Sequence, residues 1–289
     1  MNDQAQGLRN LIQSNAAKQR NTKVITVTSG KGGVGKSNFS LNFALTLQSQ
    51  GYKVLIFDAD IGLANIDVLM GVSSKYSLYH LLKKEKTIWE IIERGHHGIE
   101  FIAGGSGFTD LMRLTDQELD YFSEQVGQLN GYVDYIIFDT GAGLSKETLK
   151  FILAAEETIV VTTPEPTAIT DAYAIIKMVT NLNHQVPFRL VVNRIADEKE
   201  GRDTAAKISM VARQFLQLDI PTLGFVADDA HVSKAVRKQV PFTVAFPNSE
   251  AARSIRDLTN RFLHGQTFTG SSESSGVKSF LSRMIRLLR

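Results

Sequence analysis

Cysteine is absent from this 289-residue chain. Without cysteine the protein has no disulfides, cysteine zinc sites, thiol catalysis or cysteine-ligated iron–sulfur clusters, and we expect a reducing, cytoplasmic location. No apolar run approaches the ~18 to 20 residues of a membrane-spanning helix. Residues 1–20 lack the apolar stretch of a secretory signal, so we expect none. The formal net charge is only +2, which gives no overall attraction to nucleic acid or lipid.

Short β-branched runs alternate along the chain with longer helical patterns. Strands are predicted over residues 23–28, 53–58, 99–102, 133–139, 158–163, 188–193 and 222–226. These runs are almost continuously apolar, which is typical of strands buried on both faces of a parallel sheet. A capping box at Thr115 and a closing glycine at Gly51 mark helix ends. We therefore predict an α/β fold with a single doubly wound, mainly parallel sheet and helices on both faces.

Two segments fall outside this pattern. The alternation covers residues 21–264, which we assign to one domain. Residues 1–20 are predicted to form a short helical extension with Leu8, Leu11 and Ile12 on one side. Residues 265–276 are rich in Gly and Ser and predict a flexible linker. A final apolar-basic segment follows at residues 277–289.

A glycine-rich loop connects the first predicted strand to the first long helix. It consists of Gly30, Lys31, Gly32, Gly33, Val34, Gly35, Lys36 and Ser37. Its spacing is that of a P-loop, in which inward-facing amide groups at a helix N-terminus hold phosphates. Lys36 is expected to bridge the β- and γ-phosphates of ATP, and the Ser37 hydroxyl to bind Mg²⁺. The sequence thus predicts a site for ATP or ADP with Mg²⁺.

Three aspartates follow predicted strands that end at the same edge of the sheet. Asp58 and Asp60 follow the second strand, where Asp60 can activate the attacking water and Asp58 can hold a Mg²⁺-bound water. Either could instead be an ordinary helix N-cap or turn aspartate. Asp139 follows four apolar residues, as in a Walker B strand, and is expected to support Mg²⁺ opposite Ser37.

Lys31 is a second lysine in the phosphate loop. A cation at this position cannot comfortably fold back onto phosphates held by its own backbone, although it could be a solvated loop residue. The loop from Lys31 to Ser37 resembles the signature loop of the MinD/ParA family. The resemblance implies an ATP-sandwich homodimer in which Lys31 contacts the partner's phosphates, and a water-activating role for Asp60.

Further site residues are assigned through this resemblance alone. It places a γ-phosphate-sensing switch at residues 140–143. It implies adenine recognition by Asn193 with Arg194, and a second base-and-ribose loop at Val226 and Asp228. Asn193 could equally cap a strand end. The loop at residues 162–168, which is rich in threonine and proline, is expected to line the dimer interface, or else to form a rigid turn.

The last segment has one apolar stripe with helical spacing, formed by Val277, Phe280, Leu281, Met284, Ile285 and Leu288. A final core helix would show the same stripe. However, a Gly/Ser linker precedes it and its charged residues are all basic. This pattern favours an amphipathic helix, residues 277–289, on an anionic inner membrane. Two copies in a dimer would gain avidity, so we expect reversible, ATP-dependent attachment to the cytoplasmic face.

The N-terminal extension distinguishes branches of the family. Residues 3–9 resemble the activator motif of the flagellar-number regulators, in which it stimulates a partner GTPase of the signal-recognition-particle type; the alternative is a disordered tail. The resemblance implies a slow Mg²⁺-dependent ATPase that controls flagellar number and placement, with that GTPase and flagellar switch-complex proteins as partners. Alternatives are a division-site regulator and a DNA-partition ATPase, although we expect no DNA binding. A redox enzyme on the same fold lacks the cysteines it would need.

Overall fold

The structure is a computed structural model that describes residues 22–60, 65–104, 115–183, 185–265 and 276–288. The predicted extension at residues 1–20, most of the predicted linker (residues 266–275) and Arg289 lie outside the described residues. Within them, no helix is long and apolar enough to cross a membrane.

Strands of the described chain form one eight-stranded sheet. They are β1 (Lys23–Ser29), β2 (Val54–Ala59), β3 (Glu93–Arg94), β4 (Glu100–Ile102), β5 (Tyr135–Ala142), β6 (Glu157–Thr162), β7 (Phe188–Ile195) and β8 (Thr222–Ala227). Their order is β3-β4-β2-β5-β1-β6-β7-β8. Only the β3–β4 pair is antiparallel. The predicted doubly wound, mainly parallel α/β fold is confirmed.

Helices cover the sheet. They are α1 (Lys36–Ser49), α2 (Ile66–Met70), α3 (Leu78–Leu82), α4 (Asp116–Gly127), α5 (Lys146–Ala154), α6 (Pro166–Leu182), α7 (Glu198–Leu216), α8 (Ala230–Lys238), α9 (Phe242–Ala245), α10 (Glu250–His264) and α11 (Val277–Leu288). Helices α1 and α10 pack on one face of β1, β2 and β5, and α4, α5 and α11 pack on the other. Both predicted helix boundaries are present, because Thr115 and Glu118 form a capping box and Gly51 has φ 92°.

Two strands differ from the sequence-based expectation. β3 was not among the predicted strands, because it is only two residues long and too short to show any hydrophobic periodicity. β5 does not end at Asp139 but continues to Ala142, into the expected γ-phosphate-sensing switch. The continuation is held from both sides, because Thr140 pairs with Ala59 of β2 and Ala142 with Ser29 of β1. The expected γ-phosphate sensor thus begins within the sheet.

The apolar stripe of α11 is buried in this conformation. Val277, Phe280, Leu281 and Met284 are each at most 2% exposed. The Phe280 ring stacks on Phe138 of β5 with 4.8 Å between centroids. The segment thus packs as a final core helix, which was the alternative interpretation of its apolar stripe. It is not set apart from the domain as its Gly/Ser linker had suggested, because β5 and α5 offer an apolar surface that the stripe covers.

Candidate functional site

The phosphate loop connects β1 to α1, and steric constraints explain why several of its positions are glycine. Gly33 and Gly35 have φ values of 79° and 92°, in the left-handed region that glycine tolerates best. A Cβ on Gly30 would lie 2.2 Å from the Asp171 carbonyl carbon of α6. A Cβ on Gly35 would lie 2.4 Å from the Asn193 side-chain nitrogen. The loop is therefore shaped by close contacts with α6 and β7 as well as by its own turn.

Lys36 and Asp139 form a buried ion pair beneath the loop. Lys36 Nζ lies 3.1 Å from Asp139 Oδ1 and 3.3 Å from Ser37 Oγ. Asp139 Oδ1 also accepts a 2.7 Å hydrogen bond from the Ser40 hydroxyl. The structure thus brings together the predicted P-loop and Walker B residues. Ser40 was missed; its signal is a hydroxyl three residues after Ser37, close to the same helix face.

Asp58 lies next to Asp139, because the two residues are register partners on β2 and β5. Burial, and then the neighbouring Asp139 carboxylate, together raise the pKa of Asp58 to about 7. Asp58 Oδ2 accepts hydrogen bonds from the backbone N–H groups of Asn65 and Ile66, at 2.8 and 3.1 Å. The carboxylate therefore also holds the start of α2. The N-cap residue of α2 is Asn65, so Asp58 stabilises the start of this helix from the preceding strand and is not the ordinary N-cap aspartate that the sequence left open.

Asp60 lies between the end of β2 and the end of β5. Its Oδ2 accepts a 3.3 Å hydrogen bond from the Asn65 amide. Its Oδ1 lies 3.4 Å from the position that a Cβ on Gly141 would take. The predicted water-activating carboxylate is thus beside the predicted γ-phosphate sensor, and Gly141 leaves room for it.

The predicted base-binding residues share a pocket with the phosphate loop. The pocket has a volume of about 670 Å³, and its lining includes Gly35, Asn193, Arg194, Val226 and Asp228. The Asn193 side chain donates a 2.7 Å hydrogen bond to the Val34 carbonyl oxygen of the phosphate loop. Its amide therefore joins the base region to the loop, a contact that sequence could not supply. Residue Asp229, next to Asp228, instead caps α8 through the His231 N–H at 2.8 Å.

Comparison with known proteins agrees with this geometry. The ParA family, described as NUBPL iron-transfer P-loop NTPase, matches residues 20–263. The flagellum site-determining protein YlxH of Helicobacter pylori is 40% identical, with 100% of each chain covered. The antiactivator FleN of Pseudomonas aeruginosa is 34% identical over 83% of this chain and 85% of its own.

The chain belongs to the ParA family of P-loop NTPases. Its likeness to YlxH and FleN confirms the resemblance to the flagellar regulators of that family. The solved structure of the septum site-determining protein MinD from Pyrococcus horikoshii, complexed with Mg-ADP, has a TM-score of 0.69 and 23% identity. It covers 86% of this chain and 100% of that one, and it confirms the fold.

In this ParA-family ATPase, Lys31 is turned away from its own phosphate loop. Its Nζ lies 2.6 Å from Glu165 Oε2 and 2.9 Å from Thr167 Oγ1. Both partners belong to the Thr/Pro-rich segment 162–168, in which Glu165 is the N-cap residue of α6 and Thr167 lies in its first turn. The hydrogen bond from Lys31 lowers the pKa of Glu165. Since the Lys31 side chain is 39% exposed, it stands at the surface and can exchange partners.

The acidic end of the site has the donor chemistry for Mg²⁺. Asp139 Oδ2 is buried and has no hydrogen-bond partner, and Asp58 lies beside it. A hard cation would satisfy both carboxylates, with the Ser37 hydroxyl as a further oxygen donor. Within the described ranges no three His, Cys, Asp or Glu side chains cluster to form a complete cage. This fits an ion held partly by nucleotide phosphates and water, which is the usual arrangement for Mg²⁺.

Proposed function

We propose that this ATPase is a switch whose ATP-driven dimerisation controls membrane binding, and thereby the number and placement of bacterial flagella. The observation that carries the proposal is the stacking of Phe280 on Phe138. Phe138 immediately precedes Asp139, so the nucleotide site and the docked amphipathic helix share one strand. A change at the γ-phosphate sensor can therefore reach α11 through a single buried contact.

The first step is binding of ATP with Mg²⁺. Lys36 exchanges its contact with Asp139 for the β- and γ-phosphates, and Asp139 becomes free to support the ion with Ser37. Mg²⁺ supplies charge neutralisation at the transferring phosphate. Asp58 would hold one of the ion's waters. Asn193 and Arg194, with Val226 and Asp228, hold the base and ribose.

Lys31 makes the site depend on a second copy of the chain. The cis contact with Glu165 is exposed, and exposed ion pairs of this kind contribute little. In a facing dimer, Lys31 leaves Glu165 for the partner's nucleotide, where the interface excludes water and strengthens the contact. Hydrolysis is slow until this cation arrives, and it returns the protein to a monomer.

Replacing Lys31 is expected to weaken the ATP-dependent dimer selectively. A hydrogen bond to a charged group contributes about 1.5–3 kcal/mol and the symmetric dimer loses two of them, so Lys31→Ala should raise the dimer dissociation constant by at least ~100-fold. Sedimentation velocity with a non-hydrolysable ATP analogue measures this. Nucleotide affinity of the monomer should change little.

Lys199→Ala, at an exposed position of α7, is the matched control for loss of a lysine. Glu165→Gln tests the cis contact and should leave the dimer at least as stable as in wild type. A Lys31→Ala variant that dimerises normally with the analogue would exclude the shared site.

The membrane step is the release of α11. The helix has an exposed basic side, with Lys278 and Arg286, opposite its buried stripe. In the docked state Arg283 Nε and Nη2 are buried without hydrogen-bond partners. An unsatisfied buried donor costs about 1–3 kcal/mol, which offsets part of the free energy gained by burying the apolar stripe. At an anionic surface Arg283 can contact lipid phosphates while the stripe enters the interface.

Removal of the Phe280 ring tests whether α11 is docked on the domain through this side chain. Phe280→Ala is expected to lower the free energy of unfolding by about 3 kcal/mol, because it removes a buried aromatic side chain and leaves a cavity. Urea unfolding measures the effect. Leu288→Ala, at the partly buried end of the stripe, is the control and should cost about 1 kcal/mol or less. Equal effects of the two substitutions would contradict docking of α11 through Phe280.

Flagellar control requires partners beyond the membrane. The names of two relatives, flagellum site-determining protein YlxH and antiactivator FleN, support a regulatory output. We assign residues 1–20 as the segment that stimulates a signal-recognition-particle-type GTPase, with flagellar switch-complex proteins as further partners. Deletion of residues 1–20 should abolish stimulation of that GTPase and leave ATP turnover intact. Stimulation by the deletion variant would exclude this assignment.

A further inference from the structure

An open groove runs between α4 and α11. Its volume is about 800 Å³, and it is lined by five residues of α11 and by four of α4 with the C-cap residue Gln128, each set with spacing i, i+3, i+4, i+7 and i+8. One row of each helix therefore faces the groove over roughly 12 Å, at 1.5 Å per residue. These dimensions match two turns of a third helix laid between the other two.

The groove has an apolar floor and charged walls. Leu281 and Ile285 of α11 lie in the floor, and Gly127 of α4 has no side chain to fill it. Glu124 is exposed on the α4 wall, and Lys278 and Arg286 are exposed on the α11 wall. An amphipathic helix with apolar residues at helical spacing and a basic residue toward α4 would complement this surface.

The described chain begins at the end of this groove. Thr22 donates a 2.6 Å hydrogen bond from its hydroxyl to the Val133 carbonyl oxygen and accepts one of 2.7 Å from the Gly131 N–H. Its hydroxyl also lies 3.4 Å from the carbonyl oxygen of Leu129. Leu129 directly follows Gln128, which lines the groove. Residues 1–21 therefore leave the described structure beside the groove.

We propose that residues 1–21 of the same chain occupy this groove, with Leu8, Leu11 and Ile12 on its floor. These three residues have the i, i+3, i+4 spacing of one helix face, and Arg9 follows the first of them. The ten residues from Ile12 to Thr22 span up to ~33 Å when extended and ~15 Å when helical. Either length reaches across the groove. Arg9 can then approach Glu124.

This docking links the two ends of the chain. Because α11 forms one wall, the groove exists only while α11 is docked. If α11 moves to a membrane, residues 1–21 lose their binding surface and become available to a partner. The docking rests on the groove and the chain's exit alone, whereas this consequence rests on the proposed function.

The absence of cysteine makes the docking directly testable in the full-length protein. The double variant Asn10→Cys with Ser282→Cys places one thiol on the side of the segment that faces away from the floor and one on the exposed part of the α11 wall. Asn10→Cys with Asp203→Cys, on α7, is the matched control. A short bismaleimide should cross-link the first pair within the monomer, while cross-linking of the control pair should not exceed the background level. Gel mobility and mass spectrometry distinguish links within and between chains.

A groove-filling variant completes the test. A Cβ on Gly127 would be 4.0 Å from the nearest heavy atom outside its helix, Leu281 Cδ1, so the side chain of a Gly127→Met variant begins without a clash and can extend into the open groove. Added to the first pair, it should slow cross-linking at least about tenfold, equivalent to ~1.4 kcal/mol of binding. Equal linking of both pairs, or no effect of Gly127→Met, would overturn the docking. Links between two chains would assign the groove to a second copy's segment and would also overturn it.

A separate experiment tests whether membrane binding of α11 releases residues 1–21 from the groove. With ATP and phosphatidylglycerol vesicles, cross-linking of the Asn10→Cys, Ser282→Cys pair should fall, while phosphatidylcholine vesicles should leave it unchanged. Co-sedimentation is measured on the same samples. Protein that sediments with the vesicles and still cross-links fully would disprove the link between the two ends. Protein that does not sediment would instead disprove the proposed membrane function, and the docking would stand on the cross-linking alone.

Discussion

Asp60→Ala is expected to lower the steady-state rate of ATP hydrolysis at least ~100-fold while leaving ATP binding intact. A positioned general base contributes about 10²–10⁴-fold, and Asp60 is the carboxylate beside Gly141 at the end of β5. Its Oδ2 accepts a hydrogen bond from the Asn65 amide, and a carboxylate that acts on the attacking water adds no attraction for the phosphates of ATP. Substrate binding should therefore survive its removal.

The measurement is phosphate release at saturating ATP, with binding followed by a fluorescent nucleotide. Asp67→Ala is the control, because Asp67 lies in the same segment but bonds to Val68 and Ser74. It should keep turnover within about threefold of wild type, a change in barrier below ~1 kcal/mol. An Asp60→Ala variant that hydrolyses ATP at a similar rate would remove Asp60 from the reaction.

Asp58→Asn is expected to stabilise the nucleotide-free protein at neutral pH by roughly 4 kcal/mol. The pKa of Asp58 is raised from 3.8 to about 7, first by burial and then by Asp139. The folded state therefore binds a proton that the unfolded chain has lost. Stability is greatest below pH 4 for this group and falls as the pH rises toward 7. An asparagine oxygen still accepts from the Asn65 and Ile66 N–H groups, and its NH₂ group replaces the Oδ1 atom that accepts only a long, 3.3 Å hydrogen bond from the Asp60 N–H.

Urea unfolding at several pH values in the presence of a metal chelator measures this effect. The stability difference between Asp58→Asn and wild type should be near zero at pH 4, grow with pH, and level off above pH 7. Asp203→Asn, an exposed carboxylate on α7, serves as the control and should show no such growth. A constant difference from pH 4 to 8 would mean that Asp58 is ionised throughout and that its burial next to Asp139 costs nothing.

Local sequence patterns were sufficient to predict much of the fold and of the site. Seven strands followed from apolar runs, and the phosphate loop followed from glycine spacing between a strand and a helix. The same holds for Asp58 and Asp139, because residues at the carboxyl ends of parallel strands must meet at one edge.

Contacts between distant segments could not be predicted in this way. The pairing of Lys31 with Glu165, the bond from Asn193 to Val34 and the close approach of Asp171 to Gly30 each join residues more than 130 positions apart. The position of α11 is the clearest case. An amphipathic stripe indicates that a helix has an apolar face, but it does not say whether protein or lipid covers it.

The central claim is that ATP decides whether α11 is held by the protein or by a membrane. Truncation before α11 would expose Phe138 and Phe151, so it is a poor test of that claim. Reversal of the exposed charges by Lys278→Glu with Arg286→Glu is a sharper test, because it leaves the buried stripe unchanged.

Co-sedimentation with phosphatidylglycerol vesicles should compare wild type, Asp60→Ala and this charge-reversed variant, each with ATP or ADP. The account predicts binding of wild type with ATP but not ADP, stronger binding of Asp60→Ala with ATP, and little binding of the charge-reversed variant with either nucleotide. Wild-type binding that is equal with ATP and ADP would contradict it.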